Sequence, residues 1–272
     1  MTPTTNPATQ PIRLVIAGAG FAGIRAARHL GRSQRFQVTL ITPEDAFSYY
    51  PQLYHAATGG VRSESAIPLT ELFAGCHIEL IKDKVATLNA DGHTITTESG
   101  RTVPYDKLVL ALGSVTNYFG IAGLPEFSHD IKTIAGAERF KDHLHQELTQ
   151  DHKTDINYVV VGGGPTGIEL AAALGDYLHR IVKLHHIEQP NYRINLVEAA
   201  PRLLPRSPDA FATHIHQRLL KLGVNVMTGL AVEGETVDAL KLKGKGDMPT
   251  HTVVWTAGVS NNPFYKANEK LF

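Results

Sequence analysis

From Ile12 the chain opens on a β-branched apolar run, Ile12 to Ala17, which stops at Gly18-Ala-Gly20-Phe-Ala-Gly23 and passes into the alanine-rich segment Ile24 to Leu30. A short apolar run bounded by glycine, followed by helix formers, predicts strand, tight turn and helix. Phe36 to Ile41 predicts a second strand and completes a βαβ unit, whose parallel pairing requires a right-handed crossover. Residues 42 to 75 read as irregular, broken by Pro43, Pro51, Gly59, Gly60 and Pro68. Four short segments follow: His77 to Ile81, Lys84 to Leu88, His93 to Glu98 and Arg101 to Val103. With Asp91-Gly92 and Ser99-Gly100 as turn signals, they predict a small antiparallel insert. Lys107 to Leu112 predicts a buried strand ending at Gly113.

The pattern then begins again. Asp155 to Val161 predicts a strand, Gly162-Gly-Gly164-Pro-Thr166-Gly167 a turn and Ile168 to Leu178 a helix. Arg193 to Val197, Val224 to Met227 and Thr252 to Trp255 predict further strands, with Asp209 to Leu222 as a helix between the first two. Two copies of one βαβ design predict an α/β fold of two Rossmann-like dinucleotide-binding domains, in three layers with a small antiparallel β insert.

In a GxGxxG turn opening a helix, the first glycine permits the bend, the second admits a diphosphate to the backbone, and the third lets helix pack on strand. The diphosphate lies against unpaired N–H groups at the positive helix end. Gly18, Gly20 and Gly23 fill these places in the first unit, and Gly162, Gly164 and Gly167 fill them in the second. The ribose-binding acid belongs at the end of the next strand, where the second unit has Glu198. Its carboxylate accepts from both ribose hydroxyls and repels a 2′-phosphate, so NADH is expected to be preferred over NADPH. Arg202 favours the phosphate if it reaches it, and is otherwise a solvated loop cation. The first unit has Thr42 at this place, with Glu44 and Asp45 just beyond; Asp45 reads equally well as an N-cap.

Charge and cysteine content narrow the classes. Twenty-six Lys+Arg balance 26 Asp+Glu, which gives no cation surplus for a nucleic-acid partner. The single cysteine, Cys76, excludes an internal disulfide framework, a CxxC pair and a Cys-based zinc site, and fits a reducing, cytoplasmic compartment. Cys76 itself reads as a packed or loop thiol. Residues 1–11 lack the basic and apolar regions of a signal peptide and read as a disordered arm, and no run is long enough for a transmembrane helix. His143 and His145, like His214 and His216, lie two apart on expected helices and so face different ways, while His185-His186 sits in a polar loop. Solvated or capping roles are expected for them, with no metal site. Phe47, Tyr49 and Tyr50 read as loop or core aromatics, or as the edge of a ring-binding site.

Gly18-Ala-Gly-Phe-Ala-Gly23, Ala111-Leu-Gly-Ser114, Gly162-Gly-Gly-Pro-Thr-Gly-Ile-Glu169, Leu196-Val-Glu-Ala199 and Trp255-Thr-Ala-Gly-Val259 together resemble type II NADH dehydrogenase, the single-subunit NADH:quinone oxidoreductase, from about Ile12 to Pro263. The resemblance implies an FAD domain over 12–119, an NADH domain over 120–255, and a return towards the FAD domain over 256–272. It implies that Gly18, Gly20, Phe21, Ala22, Gly23, Ile24, Thr42, Pro43, Pro51 and Val85 line FAD. Gly113 and Asn117 mark the first crossing between domains, and Ala257 and Gly258 lie near the dinucleotides at the second. The implied chemistry is hydride transfer from NADH to flavin and two-electron reduction of a quinone, which the cofactors carry without a protein nucleophile. Glu169 is the ionisable side chain placed near nicotinamide and quinone; complementing the helix dipole is its alternative role.

The family's second flavin signature, quinone-site region and amphipathic membrane-binding region have no counterpart in residues 259–272. The chain is therefore expected to be truncated, to hold FAD weakly or not at all and to lack the segment for peripheral membrane association at the cytoplasmic face. A homodimer is left open. Sulfide:quinone oxidoreductases share the plan but need paired cysteines. A soluble flavin-dependent reductase with another acceptor, and a nucleotide-binding fragment without turnover, are the remaining alternatives.

Overall fold

A computed structural model describes residues 10–150, 155, 157–188 and 191–271. Of the expected arm, residues 1–9 lie outside the described residues, and Gln10 and Pro11 are exposed. The chain divides into two compact units: unit 1 holds residues 1–47, 67–114 and 261–272, and unit 2 holds 48–66 and 115–260.

Unit 1 contains strand β1 (Ile12–Ala17), helix α1 (Phe21–Leu30) and strands β2 (Phe36–Thr42), β3 (Ile78–Lys82), β4 (Val85–Asn89), β5 (Thr94–Thr97), β6 (Thr102–Pro104) and β7 (Lys107–Leu110). A parallel sheet runs β3-β2-β1-β7, with Ile16 opposite Leu40 and Val109. Alternation along β1 sends Leu14 and Ile16 to one face, where they pack with Ile24 and Ala27 of α1. Val15 and Ala17 go to the other, where they pack with Val85, Ile95 and Val103 of the antiparallel β4-β5-β6 sheet and with Phe264. A sheet covered on both faces needs apolar residues at consecutive positions, which is why Leu14 to Ala17 of β1 are four apolar, buried residues in a row.

Two expectations change here. Residues 77–81 do not belong to the antiparallel insert: Ile78–Lys82 pairs in parallel with β2. Nor does the last strand reach Leu112 or lie fully buried. It ends at Leu110 and is only partly covered, being an edge strand of the sheet.

Unit 2 repeats the plan with helix α2 (Ile134–His145), strand β8 (Asn157–Val161), helix α3 (Pro165–Leu184), strand β9 (Arg193–Glu198), helix α4 (Asp209–Lys221) and strands β10 (Val224–Thr228), β11 (Val232–Glu235), β12 (Ala239–Leu242), β13 (Gly246–Pro249) and β14 (Thr252–Trp255). Its parallel sheet runs β10-β9-β8-β14, the same order as in unit 1. Tyr158 and Val160 pack against Leu170, Leu174 and Leu178 of α3 and Phe140 and Leu144 of α2. Val159 and Val161 pack on the opposite face against Val232, Leu240 and Leu242 of the antiparallel β11-β12-β13 meander. Both units therefore have helix, parallel sheet and antiparallel meander as three layers. The second meander, which escaped the sequence pattern, completes the duplication.

Residues 48–66 fall in unit 2 because Ala56 and Ala57, of the short helix Leu53–Ala57, are buried in its core beside α2 and α3. The units change at 114/115 and 260/261, against the 119/120 and 255/256 drawn from sequence.

Candidate functional site

The two glycine turns are built alike. Gly18 and Gly162 have φ of +101° and +118°, which L side chains rarely adopt. Gly20 and Gly164 cap the following helices from extended backbone, at φ/ψ of −78°/−173° and −82°/178°. A Cβ on either would meet nothing within 4 Å. A Cβ on Gly23 or Gly167 would instead fall on the carbonyl oxygen of Gly18 or Gly162. Each turn is thus closed at its first and third glycines and open at its second, where a diphosphate would approach the unpaired N–H groups of the helix.

The strand end beside the second turn carries the acid. Glu198 Oε2 accepts from Gly163 N at 2.5 Å, and Oε1 from Ala200 N at 2.6 Å. Each oxygen keeps acceptor capacity, so the carboxylate is oriented and still able to take two hydroxyls. Arg202 is neither free nor aimed at a ligand: its guanidinium donates to the carbonyls of Leu204, Pro205 and Ser207 and lies 3.2 Å from Asp209 Oδ1. It ties its own loop, in place of the solvated role expected of it.

A cleft of about 290 Å³ in unit 2 brings Gly162, Glu198 and Ala257 together with Leu230, Val232, Trp255 and Phe119. A second cleft, of about 190 Å³, is lined by Thr166, Gly258, Trp255, Tyr50 and Lys132. Lys132 lies 5.6 Å from the centre of the Tyr50 ring, and burial pushes its ammonium pKa down. Neither Phe119 nor Lys132 stood out in the sequence, because nothing in a hydrophobic pattern marks which loop side chain borders a cleft.

Glu169 is exposed, in the second turn of α3 beyond the strongest dipole field, and desolvation raises its pKa. It lines neither cleft. In unit 1, Thr42 is buried at the end of β2 with its hydroxyl accepting from Glu44 N at 3.3 Å. Asp45 is an exposed partner of Lys82 at 3.6 Å and no cap is formed by it. Phe21 stands edge-on to Phe47 with ring centres 4.8 Å apart, and Phe47 is buried in the core. Ala22 and Ile24 continue α1, Pro43 is exposed beyond β2, Val85 is a core residue of β4, and Gly113 follows β7 at φ +69°. Pro51 belongs to unit 2, whereas the other residues assigned with it belong to unit 1. Cys76 is partly buried against the α1 face of the sheet.

One histidine departs from the solvated expectation. His143 is half-buried, stacks on His129 at 4.5 Å and places Nε2 3.0 Å from Thr252 Oγ1. Burial, with the neighbouring His143, holds His129 down at about 4. Among the described residues, no group of three or more His, Cys, Asp or Glu is placed to hold a metal, and no helix is long and apolar enough to cross a membrane.

A family model described as pyridine nucleotide-disulphide oxidoreductase matches residues 12–271. The type II NADH:quinone oxidoreductase Ndh of Mycobacterium tuberculosis is 29% identical, over 96% of this chain and 61% of its own length. The external alternative NAD(P)H-ubiquinone oxidoreductase B2 of Arabidopsis thaliana is 28% identical, over 95% of this chain and 49% of its own. The chain thus spans about half to three-fifths of these relatives. Among solved structures, NDH2 from Plasmodium falciparum in complex with NADH superposes with a TM-score of 0.84 at 21% identity, covering 94% of this chain and 56% of that one.

Proposed function

Because the chain belongs to the pyridine nucleotide-disulphide oxidoreductase family, we propose that unit 1 is an FAD-binding unit and unit 2 an NADH-binding unit of a flavin-dependent NADH:quinone oxidoreductase. The observation that carries the nucleotide assignment is Glu198, held by Gly163 N at the mouth of a turn whose second glycine faces open space. The quinone as acceptor is supported by the names of the relatives. A homodimer at the cytoplasmic face of a membrane rests on the sequence resemblance alone.

The residues present fit both groups at the diphosphate. Gly20 to Ile24 would hold that of FAD and Gly164 to Gly167 that of NADH. At the ribose the units differ: Glu198 offers a carboxylate, whereas Thr42 offers a hydroxyl already engaged by Glu44 N. When bound, FAD supplies the acceptor for a hydride. The chain's own part is orientation: the α3 N-terminus and Gly164 fix the diphosphate, and Glu198 fixes the adenosine ribose. Glu169 is the exposed acid we assign to the nicotinamide side; desolvation raises its pKa.

Glu198 also sets the coenzyme. A carboxylate repels a 2′-phosphate, and Arg202 cannot offset this while its guanidinium serves the Leu204–Ser207 carbonyls. Titration of the whole protein, read through its single tryptophan, Trp255, which lines both clefts, should show NADH binding at least about tenfold more tightly than NADPH. Glu198→Gln should narrow that ratio. Equal affinities, or an NADPH preference, would overturn the assignment. Bleaching of added FAD by NADH, and then its reoxidation by a quinone or only by a soluble acceptor, decides the reaction.

A further inference from the structure

Phe119 is a bulky residue in the left-handed region, at φ +54°, between Asn117 and Gly120. Such a conformation is strained for a phenylalanine and persists only where its surroundings over-determine it. Here they do. Asn117 Oδ1 accepts from Phe119 N at 2.9 Å, Asn117 N donates to Gly258 O at 3.1 Å, and Asn117 O accepts from Trp255 Nε1 at 2.8 Å. The ring stands edge-on to Trp255, with centroids 6.4 Å apart. Gly258 forms its seat: a Cβ there would come within 2.5 Å of the ring.

Core burial does not compensate the strain, because Phe119 is 62% exposed. What the ring gains is a position on the wall of the 290 Å³ cleft that Glu198, Gly162, Leu230 and Val232 also line. A flat aromatic face at the rim of a cleft whose floor carries a ribose-binding acid matches a nucleoside base, since every base has a π-face to stack.

We propose that Phe119 is a positioning residue that stacks on the adenine of NADH and closes the adenosine half of the site, with Gly258 kept free of a side chain to seat the ring. This rests on the reading of unit 2 as an NADH-binding unit. Phe119 would hold the adenosine end from one side while Glu198 fixes the ribose, and the strained backbone fixes the ring's direction before the ligand arrives. Preorganisation of this kind lowers the ordering cost of binding.

Phe119→Gly removes the ring and relieves the left-handed strain together, so it separates the proposed role from a structural one. Calorimetric titration of the whole protein with NADH, ADP-ribose and nicotinamide mononucleotide should show about tenfold weaker binding of the first two and an unchanged response to the third. The melting temperature should stay level or rise, and Phe119→Tyr should restore affinity. Unchanged ADP-ribose affinity in Phe119→Gly, or a loss confined to nicotinamide mononucleotide, would overturn the proposal while leaving the NADH assignment intact. Failure of the unaltered protein to bind either NADH or ADP-ribose would overturn both.

Discussion

Glu235, at the end of β11 opposite Leu240, carries a carboxyl into the apolar meander layer of unit 2 and is 6% exposed. Its Oε2 is buried with no hydrogen-bond partner among the described residues, and desolvation pushes its pKa up to about 8. The folded protein therefore keeps a proton there that the unfolded chain releases near 4.5. Between those values the folded state binds more protons, so stability must fall as pH rises from about 4.5 to 8, by up to about 5 kcal/mol. His129 acts in the opposite sense. With its pKa lowered to about 4, the unfolded chain takes up its proton first, so stability is lost as pH falls from about 6.5 towards 4. Melting temperatures measured from pH 4 to 9 should show both effects. Glu235→Gln should flatten the decline on the alkaline side and leave the acid side in place. An unchanged alkaline slope would show that Glu235 is ionised and solvated in the folded state.

At the level of the strand-turn-helix element, the second and third glycines of each turn do different work, and a methyl group distinguishes them. In Gly164→Ala the new Cβ meets nothing within 4 Å, and φ of −82° suits alanine. The fold should be untouched, with melting within about 1 °C of the parent, while NADH binding weakens at least tenfold because the methyl takes the space of the diphosphate. Gly167→Ala drives a Cβ onto Gly162 O, with Thr256 Oγ1 at 2.7 Å as well. It should cost stability and binding together, by about 2 kcal/mol or more, because the Gly162 backbone and the Thr256 side chain must both move. Thermal melts paired with NADH titrations distinguish the two. Equal destabilisation would mean that Gly164 is structural. These elements were legible in the sequence because short apolar-rich runs, glycine spacing and an acid at a strand end are local patterns. Ile78–Lys82 was misplaced because an edge strand and a meander strand are both short and alternating, and only pairing with β2 separates them. The β11-β12-β13 meander was missed because Gly234, Gly244 and Gly246 interrupt its pattern. Phe119 and Lys132 owe their places to non-local contacts with Gly258 and Tyr50, which spacing does not encode.

For the molecule as a whole, duplication is the organising fact: two three-layer units of the same strand order, each with helices on one face of its sheet and a meander on the other. Sequence spacing located both copies, but it drew unit 2 as one continuous stretch. In fact unit 2 takes in Ala56 and Ala57 from a segment inserted between β2 and β3 of unit 1. A fragment covering 120–255 would therefore leave part of the α2–α3 core uncovered, and the whole chain is the right object for thermodynamic work. Each unit has its own buried clusters, which is the condition for separate cooperative transitions. A ligand that binds one folded unit stabilises that unit by RT ln(1 + [L]/Kd), about 2.7 kcal/mol at a hundredfold excess over Kd. NADH should accordingly raise the urea midpoint seen by Trp255 fluorescence, because that tryptophan lies in unit 2. FAD, which we assign to the turn of unit 1, should leave that midpoint in place while raising the unit 1 transition in a calorimetric scan. A shift of the Trp255 midpoint by FAD as large as that by NADH would show that the two units unfold as one, and would remove the independence on which their separate assignments rely.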